Sequence, residues 1–311
     1  MRVAVTGAGG RLGRALMAAL ADAPFTGLSG PMGWTRADVD LDDATPERIA
    51  RLLDRDRPEV VVHAAAWTDV DGCARDPELA QRRNGEATGV LAQELAQRGL
   101  DLVAISTNEV FDGRRVDGRG YAPSDPTGPL NPYGASKLAG EELARQAYTG
   151  ADAPALEPYE PHEGVPDAPQ LAIVRTAWLF GPGQPDFPMK ILAAAERAQV
   201  AHEPLKAVND ETGCPTYVAD LADAVVELLW AGRFAGLHHI VDSGTATRAA
   251  WAREVLRLAR VQVAIEEVPA STWARASTPP QWAVLEPTPT PSGDPLRAWQ
   301  AALAERMALR R

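Results

Sequence analysis

Short runs rich in β-branched residues alternate along the chain with longer segments whose apolar residues recur at helical spacing. Because two parallel strands need a long crossover connection, usually a helix, this alternation limits the fold more than any other feature. Buried strands are predicted at residues 3–6, 59–64, 102–106 and 171–176, and helices at residues 11–21, 46–54, 77–97 and 132–147. The sequence therefore predicts an α/β fold with a doubly wound parallel sheet.

Glycine recurs at positions 7, 10 and 13, where the first predicted strand runs into the first helix. Glycines in such a turn let the backbone approach a pyrophosphate closely, and the N-terminus of the helix favours its negative charge. The spacing differs from the usual G-x-G-x-x-G pattern, and a glycine-rich turn can serve turn geometry alone. Because the turn lies so near the start of the chain, we interpret Gly7, Gly10 and the backbone of Arg11 and Leu12 as a dinucleotide site.

In a dinucleotide-binding fold, an acidic residue after the second strand usually binds the adenosine ribose. No such residue is obvious here, and Gly-Trp-Thr-Arg stands at residues 33–36 instead. Arg36 could pair with a 2′-phosphate, which favours NADP(H) and leaves NAD(H) as the alternative, or it could be an ordinary exposed arginine. The hydrophobic pattern places the adenine at Asp40 and Leu41, whereas spacing to the next helix places it at residues 42–43.

Tyr133 and Lys137 lie four residues apart in a segment that Asn131 and Pro132 mark as the start of a helix, so both side chains share one helix face. A phenol with a pKa of about 10 exchanges protons poorly at neutral pH unless a nearby cation stabilises the phenolate. Lys137 and an oxidised nicotinamide are the predicted cations. An ordinary surface pair is the alternative interpretation.

Thr107 follows the strand predicted at residues 102–106, at the carboxyl edge where α/β sheets bind ligands. Its hydroxyl can hydrogen-bond a substrate carbonyl there. A lone threonine at a strand end is usually structural, but the glycine turn, the Tyr/Lys pair and Thr107 converge on one edge. We therefore predict a catalytic centre of Thr107, Tyr133 and Lys137.

The chain divides into two predicted regions. Further helices are predicted at residues 188–199, 218–231, 248–259 and 295–309, in a more mixed pattern. A chain of 311 residues exceeds the usual size of one domain, so we expect a dinucleotide-binding domain over residues 1–180 and a smaller substrate-binding region over residues 181–311. About residues 215–242 should return to the first domain.

Residues 149–170, rich in proline, alanine and acidic residues, are predicted as an exposed loop, mobile or partly disordered.

Composition narrows the classes of partner. A net charge of −11 disfavours nucleic acid, and the apolar run that begins at residue 3 is too short for a signal sequence or a membrane span. Cys73 and Cys214 are interpreted as packing thiols of a cytoplasmic protein. No metal site is predicted, since ligand spacing with cysteines or carboxylates is missing for His63, His162, His202, His238 and His239. The sequence leaves open whether the protein is a monomer or a homodimer.

Several segments, in order, resemble the extended short-chain dehydrogenases/reductases, and among them the dTDP-4-dehydrorhamnose reductase family. Besides the glycine turn, they are VHAAAWTDVD at residues 62–71, PLNPYGASKLAGE at 129–141, RTAWLFG at 175–181 and DETGCPT at 210–216. The resemblance covers almost the whole chain and implies a Rossmann fold.

The resemblance also implies the reaction, which is hydride transfer from a nicotinamide to the 4-keto group of a nucleotide-linked deoxysugar. By this analogy Tyr133 protonates the carbonyl oxygen, Lys137 lowers the pKa of Tyr133 and holds the nicotinamide ribose, and Thr107 orients the carbonyl. Ala64 and Ala65 would lie along the cofactor. Trp178 would sit against the substrate, with a large core residue as the alternative.

The chain departs from the family pattern beside the sugar. Where the family has Ser-Thr-Asp-Tyr-Val-Phe-Asp-Gly, Asn108 replaces the aspartate and Glu109 the tyrosine, and Asp210 is followed by Glu211 instead of glutamine. We therefore expect a keto sugar other than, or broader than, 4-keto-rhamnose, with Asn108 and Glu109 facing it.

Two alternative functions stay open. Thr-Asn-Glu-Val at residues 107–110 is similar to the Thr-Asp-Glu-Val run of nucleotide-sugar 4,6-dehydratases, which suggests an epimerase or partial dehydratase with Glu109 as base. Asn108 cannot donate the proton of the missing aspartate, which disfavours a complete dehydratase. A regulatory subunit that binds cofactor without turnover is the other alternative, and the retention of Thr107, Tyr133 and Lys137 argues against it.

Overall fold

The computed structural model describes residues 1–161 and 166–309. The strands are β1 (Val3–Thr6), β2 (Met32–Trp34), β3 (Val60–His63), β4 (Asp101–Thr107), β5 (Leu171–Thr176), β6 (Leu179–Phe180), β7 (Leu205–Val208), β8 (Thr212–Gly213), β9 (Thr216–Tyr217), β10 (Gly236–His239), β11 (Ala246–Thr247), β12 (Ile265–Val268) and β13 (Trp282–Ala283). The α-helices are α1 (Arg11–Asp22), α2 (Pro46–Asp56), α3 (Val70–Arg75), α4 (Pro77–Ala80), α5 (Ala87–Gln97), α6 (Pro132–Thr149), α7 (Phe187–Ala201), α8 (Val218–Ala231), α9 (Arg248–Ala259) and α10 (Trp299–Ala308).

The main sheet has the strand order β10-β5-β4-β3-β1-β2, and every neighbouring pair is parallel. Thr6 pairs with His63 and Thr107 with Thr176, so the carboxyl ends of the central strands lie along one edge. The α/β fold class with a doubly wound parallel sheet is thus confirmed.

Helices cover both faces of this sheet because alternate strand residues point to opposite sides. Val3 and Val5 pack on the side of α1 and α8, whereas Ala4 packs on the side of α2, α5 and α6. On the first side, Leu16 of α1 and Leu221 and Val225 of α8 are fully buried. Each such leucine contributes about 1.5–3 kcal/mol of hydrophobic stabilisation.

A separate hydrophobic cluster joins α7, α9 and α10 around Trp251, Phe180 and Trp299. Small sheets, β12-β7 and β11-β8-β13, belong to the same part of the chain. Between these segments the chain returns to the main sheet, since β10 pairs with β5 and α8 packs against α1. The domain boundaries at residues 180, 215 and 242 stay a prediction.

The helix predicted at residues 77–97 is interrupted. α4 ends at Ala80, a π-helical turn spans Gln81–Glu86, and α5 begins only at Ala87. The turn carries Asn84, whose side-chain amide accepts a hydrogen bond from Trp67 N at 2.8 Å and donates one to Ser136 Oγ at 3.1 Å. Hydrophobic periodicity cannot predict this extra residue in the turn.

Residues 149–170 are not uniformly exposed, so the predicted exposed loop is wrong for part of its length. Tyr159 is buried and stacks on His238 with ring centroids 4.4 Å apart. Its backbone N–H donates to Leu237 O at 3.0 Å, and Leu237 N donates to Glu157 O at 2.9 Å. Residues 157–159 therefore lie along β10. Residues 149–152, 154–155, 160–161 and 167–169 are exposed as predicted, and residues 162–165 fall outside the described residues.

Candidate active site

The carboxyl ends of β1, β3, β4 and β5 open into a cavity of about 410 Å³. Its walls include most of the predicted site residues, namely Gly7, Gly10, Arg11, Leu12, Ala64, Thr107, Asn108, Glu109, Tyr133, Lys137 and Trp178. Parts of the chain more than 170 residues apart thus form one site, as the convergence of motifs at the sheet edge predicts.

The glycine turn is packed too tightly for side chains. A β-carbon on Gly13 would lie 2.1 Å from Gly7 O, and one on Gly7, whose φ is +67°, would lie 2.9 Å from Ala65 Cα. Gly10 is the N-cap of α1 and has no side chain to bind the first amides of the helix. These amides therefore remain available to an anion, which fits a pyrophosphate.

Arg11 adds a positive charge to the same wall. Its guanidinium donates to Gln184 O at 2.8 Å, while its Nε is buried without a hydrogen-bond partner among the described residues. Burial lowers the pKa of Arg11, although arginine stays charged at neutral pH. An unpaired buried N–H beside a cavity is costly, and an anionic ligand would satisfy it.

Four of the predicted cofactor residues do not line this cavity, namely Arg36, Asp40, Leu41 and Ala65. Arg36 is about three-quarters exposed and pairs with Asp40 at 3.4 Å and Asp42 at 3.1 Å. Leu41 packs against the hydrophobic core on the α2 side of the sheet. Ala65 donates its N–H to Thr6 Oγ1 at 3.1 Å, and the cavity is lined at this point by Ala64 and by Ala66, a residue that the motif analysis did not select.

The helix that carries Tyr133 and Lys137 is fixed at its start. Asn131 is the N-cap of α6, and its Oδ1 accepts from Gly134 N at 2.9 Å. Gly134 lies against the backbone of residue 109 so closely that a β-carbon would come within 2.0 Å of Glu109 O. These contacts hold Tyr133 beside the end of β4.

The two proton-carrying groups of this helix respond to burial in opposite ways. Lys137 donates its Nζ to Ile105 O at 2.8 Å, and burial lowers the pKa of Lys137 to about 8. Burial and the negative charge of Glu109 raise the pKa of Tyr133, whereas a hydrogen bond with Thr107 opposes them. Tyr133 is therefore held as a neutral phenol, the form that donates a proton. Stabilisation of its phenolate by Lys137 stays a prediction.

Thr107, the last residue of β4, and the two residues after it form a connected polar group. Thr107 Oγ1 accepts from Glu109 N at 3.2 Å and donates to Asn108 Oδ1 at 3.3 Å. Asn108 in turn donates to Ala283 O at 3.3 Å, which ties the group to the C-terminal region. Glu109 accepts from Asn131 Nδ2 at 2.6 Å, and burial raises the pKa of its carboxyl group.

Trp178 adopts an unusual backbone conformation for a large residue, with a φ of +44°. The guanidinium of Arg248 lies 3.5 Å from the centroid of its ring. Gly213 lies under the same ring, where a β-carbon would come within 2.6 Å of it. Trp178 is thus a cavity wall held by packing, and whether it contacts a substrate stays a prediction.

Arg248 is a site residue that sequence reasoning missed. It begins α9, lines the cavity, and pairs with the buried Glu211 at 3.3 Å. Nothing in its local sequence marks it as functional, because only the tertiary fold brings it to the cavity that Tyr133 also lines. No group of three or more His, Cys, Asp or Glu residues suited to a metal occurs in residues 1–161 and 166–309, and His162 lies outside them.

A doubly wound sheet with a glycine turn, and a tyrosine and a lysine one helical turn apart at its carboxyl edge, define an extended short-chain dehydrogenase/reductase. The family model described as RmlD substrate binding domain matches residues 1–310. The chain belongs to this family, that of the dTDP-4-dehydrorhamnose reductases. The predicted resemblance and the class of NAD(P)-dependent oxidoreductase are confirmed.

Relatives resemble the chain over nearly its whole length. A dTDP-4-dehydrorhamnose reductase from Streptomyces griseus is 35% identical over 97% of this chain and 91% of its own. A dTDP-4-keto-6-deoxy-D-glucose reductase from Streptomyces niveus is 33% identical over 98% and 96%. The crystal structure of dTDP-4-dehydrorhamnose reductase from Bacillus anthracis in complex with NADP has a TM-score of 0.83 and 25% identity, and the match covers 100% of this chain and 99% of that one.

Proposed function

We propose that this protein is an NAD(P)H-dependent reductase of a nucleotide-linked 4-keto deoxysugar. The observation that carries the proposal is one cavity that joins the glycine turn to Thr107, Tyr133 and Lys137. Named relatives at 33–35% identity are reductases of dTDP-linked keto sugars, which supports the same substrate class here.

Cofactor binding is assigned to the first wall of the cavity. The amides at the start of α1 and the unpaired Arg11 Nε would hold the pyrophosphate, and Lys137 would hold the ribose next to the nicotinamide. When bound, the dihydronicotinamide supplies the hydride. NADP(H) is favoured over NAD(H), because Arg36 is exposed beyond β2 and the Bacillus anthracis relative binds NADP.

Proton transfer is assigned to α6 and the end of β4. Tyr133, kept neutral by burial, would donate its phenolic proton to the carbonyl oxygen as the carbon is reduced. The Thr107 hydroxyl would hydrogen-bond the same oxygen, and the ammonium of Lys137 would stabilise the phenolate that results.

A second cavity of about 300 Å³ suits the nucleotide half of the substrate. Lys206, Arg248 and Arg275 give it positive charge, and Phe187 and Trp273 give it aromatic walls. Arg248 lines both cavities, so a ligand could extend from one to the other. A diphosphate beside the arginines and a base beside the aromatic rings would place the sugar at Tyr133.

Two properties of the intact protein are part of this proposal. We place it in the cytoplasm, in keeping with the free thiols of Cys73 and Cys214. A homodimer is proposed as the alternative to a monomer, and light scattering would distinguish them. Among the described residues, no helix is both long enough and apolar enough to span a bilayer.

The proposal is tested by following the oxidation of NADPH and of NADH at 340 nm with dTDP-4-keto-rhamnose and dTDP-4-keto-6-deoxyglucose. We expect turnover with NADPH, and a loss of at least ~100-fold in Tyr133→Phe with cofactor affinity nearly unchanged. Tyr148→Phe is the matched control, since the Tyr148 hydroxyl donates to Leu100 O and does not line the cavity. Cofactor binding without turnover of either ketone would favour a regulatory subunit instead.

The identity of the sugar is tested by restoring the family pattern beside it. The double change Asn108→Asp with Glu109→Tyr should raise turnover of dTDP-4-keto-rhamnose if these residues set specificity. Equal and efficient turnover by the wild type and the double variant would mean that they do not.

A further inference from the structure

Glu109 is a partly buried carboxyl group that lines the catalytic cavity, and the proposed reduction does not use it. Its Oε2 accepts a hydrogen bond from Asn131 Nδ2 at 2.6 Å. Arg248 and Arg275 act on it through their charges, which favour the carboxylate, whereas the charge of Glu211 opposes it. Burial outweighs the arginines and raises the pKa of Glu109, so its carboxylate is a stronger base than an exposed glutamate.

Glu109 and Tyr133 are held in a fixed relation. Asn131 binds the Glu109 carboxylate through its Nδ2 and caps α6 through its Oδ1. Gly134, the residue after Tyr133, packs directly on the backbone of residue 109. Both side chains line the catalytic cavity, and the negative charge of Glu109 raises the pKa of Tyr133.

A base and a phenol in one cavity are the groups that enolisation of a ketone requires. A carbonyl oxygen that accepts hydrogen bonds from Tyr133 and Thr107 withdraws electrons from its carbon, so the C–H bond on the adjacent carbon becomes more acidic. Asn108, the neighbour of Glu109, carries an amide, which does not act as an acid or a base at neutral pH. Glu109 is a carboxylate that lines the same cavity as Thr107 and Tyr133.

We propose that Glu109 gives the enzyme a second, redox-neutral activity, the exchange of the proton on the carbon next to the keto group of the sugar. The C–H bond breaks, its proton moves to a Glu109 oxygen, and its electron pair forms the C=C bond of an enol. The carbonyl oxygen takes the Tyr133 proton at the same time. Reversal restores the ketone with a hydrogen from solvent, so no oxidant or reductant is consumed.

This inference rests on the proposed function, because it needs the same bound ketone. The test incubates full-length enzyme, saturated with NADP⁺ so that no hydride is available, with dTDP-4-keto-6-deoxyglucose in D₂O. Proton NMR and mass spectrometry measure deuterium at the carbons next to the carbonyl, against a sample without enzyme. We expect wild-type exchange at least tenfold above that background.

Variants then assign the exchange to one side chain. Glu109→Gln, assayed at saturating ketone, should lower the exchange rate by ~100-fold or more, the usual contribution of a general base, and lower reduction by a smaller factor. Glu109→Asp, which keeps a carboxylate, should recover part of the exchange. Glu267→Gln is the matched control, because Glu267 pairs with Arg253 and lines neither cavity.

The same preparations are assayed for NADPH oxidation with the same ketone, so that the two proposals can fail separately. Reduction with no exchange above background overturns the second activity and leaves the reductase intact. Exchange at the wild-type rate in Glu109→Gln also overturns the assignment. Absence of both reduction and exchange refutes the reductase proposal together with this inference.

Discussion

The ionisation of a single residue, Lys137, is expected to limit activity at high pH. Burial lowers its pKa from the usual value of about 10.4 to about 8, so the ammonium is lost as the pH rises through 8 instead of through 10. Because the proposed mechanism uses the charged form, kcat/KM for the ketone should fall about tenfold for each pH unit above 8.

The pH profile of Lys137→Arg provides the control, since arginine keeps its charge over this range. Its absolute rate should be lower, but the break near pH 8 should disappear. A wild-type profile that stays flat to pH 9.5 would show that the Lys137 ammonium is not required.

The absence of a side chain at Gly213 leaves room for the Trp178 ring, and the substitution of Gly213 by alanine tests whether the position of that ring matters for substrate binding. In Gly213→Ala the new β-carbon would lie 2.6 Å from the indole ring, while Arg248 lies 3.5 Å from the centroid of that ring. The ring must move, so KM for the keto sugar should rise about tenfold while NADPH affinity is unchanged. Gly128→Ala is the matched control, because its nearest neighbour would be at an ordinary 3.5 Å. Equal KM values in both variants would remove Trp178 from the substrate site.

The residues that sequence reasoning selected are those with a local signal. Tyr133 and Lys137 share a helix face, and Thr107 ends a strand, so each could be placed on one sheet edge before the structure was known. Arg248 has no such signal, because its place in the cavity depends on how α9 packs in the C-terminal region. Hydrophobic periodicity predicts helices and strands but not which distant elements pack together.

At the scale of elements, the start of α6 carries both stability and chemistry. Asn131→Ala removes the N-cap of α6 and also removes the Asn131 Nδ2 donor from the partly buried Glu109 carboxylate. The loss of unfolding free energy should therefore be at least about 1–2 kcal/mol, and turnover should fall with it. Thr45→Ala, at the N-cap of α2, should cost about 1 kcal/mol with unchanged turnover. Denaturant titration measures the unfolding free energy of each variant, and the NADPH assay measures its turnover. Similar results for the two variants would contradict a special role for Asn131.

Helices were predicted best where proline and an N-capping residue mark the first turn. Proline at the start of α2, α6 and α7 and a capping residue before each give clear helix starts. Strands of two residues, such as β6, β8 and β11, were not predicted, because so short a run has no detectable period. The burial of Tyr159 was not predicted, because the sequence around it is rich in proline and resembles a loop. Its backbone nevertheless pairs with β10.

At the scale of the whole molecule, the main sheet is completed late in the chain. α8 covers α1 with Leu221, Val225 and Leu228, and β10 covers the edge of β5. A fragment of residues 1–180 lacks both, so we expect it to lose cooperative thermal unfolding and near-UV circular dichroism, which the full chain should show. A sharp cooperative transition in the fragment would establish residues 1–180 as an autonomous domain.

The late return of β10 has a consequence for synthesis on the ribosome. β5 ends at Thr176 and its outer neighbour begins at Gly236, about 60 residues later. At ~5–20 residues per second, each nascent chain spends roughly 3–12 seconds with the free edge of β5 able to pair with a strand from another chain. Neighbouring ribosomes on one message hold such edges close together. Yield in the cell should therefore depend on translation speed between codons 177 and 239, even though the finished protein buries that edge.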